Sequence, residues 1–335
     1  VTGDFVAMSD CQFAALSSGA KIPTVGLGLW KLDESQASVM VERGIELGYR
    51  HLDSACDYGN EVGVGRGINR AIHRGSVRRE DLWITSKLWN TYHRKEHVGP
   101  ACERTLRDLG IDELDLYLIH FPISLAFVDF VKRYPPGWLF DPNEPERGMK
   151  KDRVPLVETW QGMEDLIRRG LVKHIGICNM GCSLVRDLLC YASVRPEVLQ
   201  IERHPLLVQE KLVRFCRDEG IVVTGFSPLG AQSYYSLGMA DPAESLLDHE
   251  VVTSMARQHD KSAAQVLLRW GVQGGTAVVP KTSQVERLVE NLAIYDFSLS
   301  ADEMSRLDGM DRGRRFNDPG VFAEKAFHTF FPIYE

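Results

Sequence analysis

The sequence predicts an α/β fold of the (β/α)8 or TIM-barrel type, and three observations carry that prediction. Short β-rich runs alternate with amphipathic helical runs along almost all of the 335 residues, giving eight strand–helix units. The β-rich runs are near-continuous apolar stretches, as parallel strands covered on both faces require. The G-x-G-x-x-G turn of a doubly wound dinucleotide-binding sheet is missing after the first strand. That strand offers only Gly26-Leu27-Gly28-Leu29-Trp30, while Gly63, Gly65 and Gly67 fall inside a helical pattern.

The units follow in order. TVGLGL (24–29) precedes a helical run over 35–48, and HLDSA (51–55) precedes one over 60–75. DLWITSK (81–87) leads to 97–110, and DLYLIH (115–120) to 155–170. KHIGICN (173–179) leads to 183–192, and VLQIERH (198–204) to 210–220. VVTGFSP (222–228) is followed by two helical runs, 250–259 and 263–273, and TAVVPK (276–281) by one over 284–295. Gly48, Gly75, Gly110, Gly170 and Gly220 stand where helices end, the position that favours a left-handed residue. Residues 11–23 read as a hairpin ahead of the first strand, placed to plug the bottom of the barrel. Three connections are long: 121–153 with Pro135-Pro136-Gly137-Trp138, 229–248 with Tyr234-Tyr235, and the aromatic, helix-poor tail 311–335. Their aromatic content marks them as ordered lids on one catalytic domain spanning 1–335.

Composition excludes several classes. A formal net charge of −7 and a pI of about 5.9 argue against a nucleic-acid footprint, which needs a basic face. Arg78-Arg79 and Arg312 to Arg315 are too short for one and read as solvated helix or loop ends. The 7 cysteines have no framework spacing, as expected of reduced thiols. Cys178 and Cys182 lack the His or Cys pair that would complete a metal site, so no metal is expected. Neither a membrane-length apolar run nor a signal-peptide layout is visible, and the expected compartment is the cytosol.

In this fold the C-terminal strand ends converge on one face, where active sites lie. Asp53, Lys87 and His120 end the second, third and fourth strands, and Tyr58 follows the second by a short turn. Alone, each has a bland reading: strand-end cation, core imidazole, rim aromatic. Together they suit reduction of a carbonyl, because charge left on the oxygen needs a proton donor and fixed dipoles. A free phenol titrates near ~10 and holds its proton too tightly at neutral pH. The Lys87 ammonium, kept ionised by Asp53, is expected to lower that value at Tyr58. His120 can hydrogen-bond and orient the carbonyl oxygen. The hydride must come from a cofactor, since no side chain supplies one.

With these residues the chain resembles the aldo-keto reductases, whose tetrad of Asp, Tyr, Lys and His falls on Asp53, Tyr58, Lys87 and His120. The resemblance runs from about residue 11 to 320 through GLGLWK, HLDSACDYGNE, ITSKLWN, LYLIHFP, IGICN, LQIERHP, FSPLG and VVPKTSQVERLVEN. It implies a barrel that binds NADP(H) in extended form, with NAD(H) as a second possibility. Cys178, Asn179 and Gln200 match positions around the nicotinamide carboxamide, and Phe226 matches its stacking ring. Ser227 and Leu229 match the loop near the pyrophosphate. Lys281, Thr282, Ser283 and Arg287 match the 2′-phosphate cluster, with Glu290 and Asn291 at the adenine. A cation pair there favours NADPH over NADH.

The sugar-reducing branch is the nearest resemblance, through HFPISLAFVDFVKRYPPGW and RRFNDP (314–319), which are similar to segments of xylose reductases. The whole chain is also similar to plant aldose-6-phosphate reductases. Trp30, Trp89 and Phe121 match aromatic pocket walls, with core packing as their other reading. Asp57 and Asn317 match positions that contact sugar hydroxyls, Asp57 being otherwise a helix N-cap. Open-chain aldoses therefore lead as substrates, with simple aldehydes accepted. Lys132, Arg133, Lys150 and Lys151 would suit a sugar phosphate if they are more than exposed loop charge. Two rival classes are a Schiff-base lyase using Lys87 or Lys281 and a non-catalytic cofactor-binding regulatory subunit. Relatives are monomers or homodimers.

Overall fold

The computed structural model describes residues 12–134, 137, 138, 143 and 148–335. Residues 1–11 and Pro135-Pro136 of the long loop lie outside the described residues. Strands β1 (Phe13–Ala15) and β2 (Lys21–Pro23) pair antiparallel, with Phe13 opposite Pro23. Leu16 and Ile22 of this hairpin pack with Trp83, Leu116 and Val198 in a buried cluster of its own. The hairpin therefore closes one end of the barrel, as its sequence suggests.

The barrel strands are β3 (Leu27–Gly28), β4 (His51–Asp53), β5 (Trp83–Leu88), β6 (Leu114–Ile119), β7 (Val172–Cys178), β8 (Val198–Glu202), β9 (Val222–Phe226) and β10 (Ala277–Val278). They form one parallel sheet in chain order. The parallel bridges Val25–Val278 and Gly28–Lys281 join the first strand to the last and close the ring. The backbones meet so closely there that a Cβ on Gly28 would lie 2.6 Å from the Val279 carbonyl oxygen. Only glycine fits that seam.

Helices cover the ring: α1 (Glu34–Glu46), α2 (Glu61–His73), α3 (Lys95–Leu109), α4 (Leu156–Arg168), α5 (Cys182–Tyr191), α6 (Glu210–Asp218), α7 (Glu250–His259), α8 (Ala263–Gln273) and α9 (Val285–Leu292). The five glycines expected at helix ends all have positive φ. Gly63, Gly65 and Gly67 are indeed helical. They let α2 approach its neighbours, and a Cβ on Gly67 would sit 2.6 Å from the Ser38 carbonyl oxygen of α1. Two helices exceed the sequence reading. α10 (Ala301–Asp308) starts from a Ser300–Glu303 capping box, and α11 (Pro319–Phe327) runs through the tail read as helix-poor, with Asp318 as its cap. Among the described residues no helix is long and apolar enough to cross a membrane, and no His, Cys, Asp and Glu cluster could hold a metal ion.

Candidate active site

The ends of β4 and β5, the turn after β4 and the residue after β6 meet at one point of the rim. Lys87 is fully buried on β5. Its Nζ donates to Asp53 Oδ1 at 2.7 Å, to the Ser54 carbonyl at 2.8 Å and to the Tyr58 hydroxyl at 3.1 Å. Asp53 is held on its other oxygen by Gln200 Nε2, 2.6 Å away. Tyr58 reaches Lys87 because Cys56–Tyr58 forms a single 3₁₀ turn closed by left-handed Gly59. Asn60 then staples this turn to the end of β3 through the Leu29 and Leu32 carbonyls. His120 stands edge-on to the Tyr58 ring, with centroids 5.9 Å apart. Its Nδ1 lies 2.9 Å from Asp57 Oδ1, yet neither atom has a hydrogen bond of good geometry.

The charge states correct one expectation. Burial pushes the Tyr58 phenol above its ordinary range; Lys87 pulls it down, as expected, but does not overcome burial. Tyr58 therefore keeps its proton throughout the neutral range. For Lys87 the order reverses: burial disfavours the ammonium, but the charge and hydrogen bond of Asp53 help raise it well above an ordinary lysine. The pair is a neutral phenol beside a permanent cation.

A cleft of about 650 Å³ opens above these groups. Asp53, Asp57, Tyr58 and His120 form its floor, and Trp30, Phe121 and Trp138 stand among its aromatic walls. Asn317 also faces it, with a buried Oδ1 that has no hydrogen-bond partner among the described residues.

The sequence pattern of the Aldo/keto reductase family matches residues 24–312, most of the chain. The chain belongs to the aldo/keto reductase family. It is 47% identical over 321 residues to a probable NAD(P)H-dependent D-xylose reductase of Arthroderma otae, covering 95% of both chains. It is 46% identical to the NAD(P)H-dependent D-xylose reductase of Aspergillus niger, covering 92% of this chain and 97% of that one. Among solved structures it superposes on the aldose reductase from Schistosoma japonicum with a TM-score of 0.82 at 36% identity, covering 96% and 98% of the two chains. A Bombyx mori aldo-keto reductase in complex with NADP gives 0.80 at 32%, covering 94% and 97%.

The residues matched to the reductase family's coenzyme site divide into two groups. Asn179, Gln200, Phe226, Ser227, Leu229 and Lys281 all line the cleft that holds Tyr58. Asn179 has left-handed φ and donates to the His120 carbonyl at 2.9 Å. Lys281 is depressed by burial with no carboxylate opposing the shift, and Lys31 is depressed by burial and by Lys281. Two neighbouring ammonium groups that pair with no carboxylate among the described residues fit a phosphate-bearing cofactor. The other group stays off the cleft. Thr282 Oγ1 is taken up by its own turn, accepting from Gln284 N at 3.0 Å. Ser283 and Arg287 are exposed, Glu290 is half-buried, and Asn291 is on the buried face of α9. Cys178 points into the barrel's lower cluster. Trp89 is not a wall either: it is fully buried behind His120 and donates to the Gly137 carbonyl at 3.1 Å. Lys132, Arg133, Lys150 and Lys151 do not line the cleft, and Lys151 lies over Phe331.

Several contributors escape the sequence reading. Trp138 packs edge-on to Trp89 at 5.0 Å, to Phe121 at 5.3 Å and to Phe322 of α11 at 5.1 Å, tying the long loop to the tail. Tyr334 donates to Asn179 Oδ1 at 3.1 Å. Glu202, fully buried, accepts from Phe316 N and Asn317 N at 2.8 Å each and lies 2.9 Å from His204 Nε2. Arg314 and Arg315 are half-buried rather than solvated: Arg314 pairs with Glu244, and Arg315 lies 3.6 Å over the Tyr334 ring. RRFNDP signals this strap by composition, but its partners lie 70 to 115 positions away in sequence.

Proposed function

We propose that this aldo/keto reductase reduces the aldehyde of open-chain aldoses, D-xylose foremost, and of simpler aldehydes, with NADP(H) as preferred coenzyme and NAD(H) also usable. The observation that carries this reading is the buried Lys87 ammonium in simultaneous contact with the Asp53 carboxylate and the Tyr58 hydroxyl at the floor of an aromatic cleft. The relatives' dependence on NAD(P)H and their action on D-xylose support the same assignment.

When bound, the nicotinamide supplies a hydride to the carbonyl carbon; the side chains do the rest. Tyr58, protonated at neutral pH, gives its hydrogen to the carbonyl oxygen as charge builds there. An alkoxide is a far stronger base than a phenolate, so the transfer runs downhill even from a phenol raised by burial. Lys87 stabilises the phenolate left 3.1 Å away. Asp53 keeps that ammonium in place, and Gln200 keeps Asp53 in place. His120, with Nδ1 toward Asp57, presents its other nitrogen to the carbonyl oxygen. Asp57 and Asn317, which both line the cleft, accept from sugar hydroxyls.

Two observations narrow the substrate. The loop cations 132, 133, 150 and 151 stand away from the cleft, so a sugar phosphate would have to meet Arg315 or Lys325 instead. The Lys87 amine is committed to three acceptors and shielded from solvent, which disfavours the Schiff-base lyase. The test is NADPH consumption with D-xylose, other aldoses, aldose phosphates, uronates and benzaldehyde. Saturable turnover of D-xylose is expected; a protein that oxidises NADPH with none of them would contradict the reading.

A further inference from the structure

Two surface segments meet over the cleft. One is the loop 229–248, which runs past Ser227 and Lys281 on the coenzyme side. The other is the strap 314–317, which presents Asn317 to the substrate. Arg314 joins them. Its Nη2 donates to Glu244 Oε2 at 3.0 Å and to the Met239 carbonyl at 3.0 Å, and its Nε reaches the other oxygen of Glu244. Glu244 does not swing freely, because it also accepts from Asp241 N at 2.9 Å in the capping box of its own turn.

A second contact lies beside the first. Phe316 stacks on Tyr234 with ring centroids 5.6 Å apart and planes at 19°. The Tyr234 hydroxyl is 2.7 Å from Ser227 Oγ, where β9 hands over to the loop. On its far side the loop is tied to the end of β3, where Lys31 Nζ donates to the Ser233 carbonyl at 2.7 Å. The strap has its own barrel anchor in Glu202, which takes the Phe316 and Asn317 amides. A displacement of the loop therefore pulls at Arg314 and Phe316, the two residues that bracket the backbone leading to Asn317.

We propose that Arg314 is a positioning residue that couples the coenzyme loop to the sugar-reading Asn317, so that the loop's seating on the coenzyme sets affinity for hydroxylated substrates. Arg314 lies at the cleft's edge, but its guanidinium is taken up by Glu244 and the Met239 carbonyl, so it acts through the strap. The coupling is reciprocal: whatever holds the loop down tightens the strap, and a sugar held by Asn317 tightens the loop. The inference rests on the proposed aldose reduction. An aldehyde without hydroxyls makes no use of Asn317 and should not sense the clasp.

The test uses the full chain with Arg314→Met, Glu244→Gln and the charge swap Arg314→Glu/Glu244→Arg. NADPH binding to the free protein is followed by fluorescence, and KM for D-xylose and benzaldehyde is measured at saturating NADPH. Each single variant should weaken NADPH about tenfold and raise the D-xylose KM about tenfold, as loss of a charge-assisted pair implies. The benzaldehyde KM should move less than about twofold, and the swap should recover most of both losses. Equal effects on the two aldehydes would overturn the coupling, as would weaker NADPH binding with an unchanged D-xylose KM. Wild-type turnover of D-xylose is scored separately, so failure of the substrate reading is told apart from failure of the clasp. Melting temperatures of the swap and Glu244→Gln identify simple misfolding; a swap that melts normally but recovers nothing would overturn the inference.

Discussion

The cleft floor and the stretch that follows β10 are built by opposite means. At the barrel rim, Lys87 and Asp53 are buried on strand ends, every polar atom of the ammonium is spoken for, and the charges stand fixed before any ligand arrives. Along the stretch after β10, Lys281 is half-buried, Arg287 and Ser283 are exposed, and among the described residues neither cation has a carboxylate partner. The first region is preorganised by the fold; the second carries charge that no carboxylate among the described residues pairs with. Substitutions at the rim should thus disturb folding and chemistry together, while those after β10 should change binding alone.

The sharpest break of that contrast is Lys87→Met. It leaves Asp53 as a buried carboxylate without its cation, so loss of ~3–5 kcal/mol of stability is expected. Turnover should fall by ~10²–10⁴-fold alongside it. Denaturant unfolding paired with NADPH-linked kinetics checks both; intact stability would mean the rim is less preorganised than its geometry implies. Next in size is Glu61, buried at the start of α2 and accepting from Ser86 at 2.6 Å and Thr105 at 3.1 Å. Burial raises its carboxyl from 4.5 to about 7. Between those values the unfolded chain binds fewer protons than the fold, so stability should fall as pH rises through the interval. The loss is on the order of 3 kcal/mol and is complete above the folded value. Glu61→Gln should flatten that slope in urea melts at a series of pH values; an unchanged slope would remove Glu61 as its source.

Asp57→Ala sits between the two regimes. It should raise the D-xylose KM by ~10–100-fold through loss of a charged hydroxyl acceptor, with little change for benzaldehyde. Equal changes for both would show that Asp57 supports His120 rather than reading the sugar. The smallest effect belongs to the stretch after β10. Arg287→Ala should weaken NADPH about tenfold, leave NADH nearly unchanged and leave the melting temperature where it was. Parallel loss for both coenzymes would detach Arg287 from the 2′-phosphate.

What was legible in the sequence follows the same division. The strands, their order and the glycine-ended helices were readable because each is a local signal: an apolar run, a 3.6-residue period, a positive-φ cap. The tetrad was readable because strand ends are local and the topology brings them together. The strap was not, because Glu202 meets Phe316 and Asn317, and Arg314 meets Glu244, only through tertiary contact. Trp89 shows the limit from the other side: its motif is visible, but only packing reveals that it backs His120 from behind. The sign at Tyr58 was hidden for a related reason. The neighbouring cation is a matter of motif, whereas the depth of burial that outweighs it belongs to the assembled rim.

The central claim is that Tyr58, beside the Lys87 ammonium, hands its hydrogen to the substrate oxygen. Replacing Tyr58 by Phe removes that hydrogen and keeps the ring, so D-xylose turnover and NADPH binding should be measured on the same preparation. The account predicts a fall in turnover of at least ~10²-fold with NADPH affinity unchanged. Undiminished turnover of D-xylose by the Phe variant would contradict it.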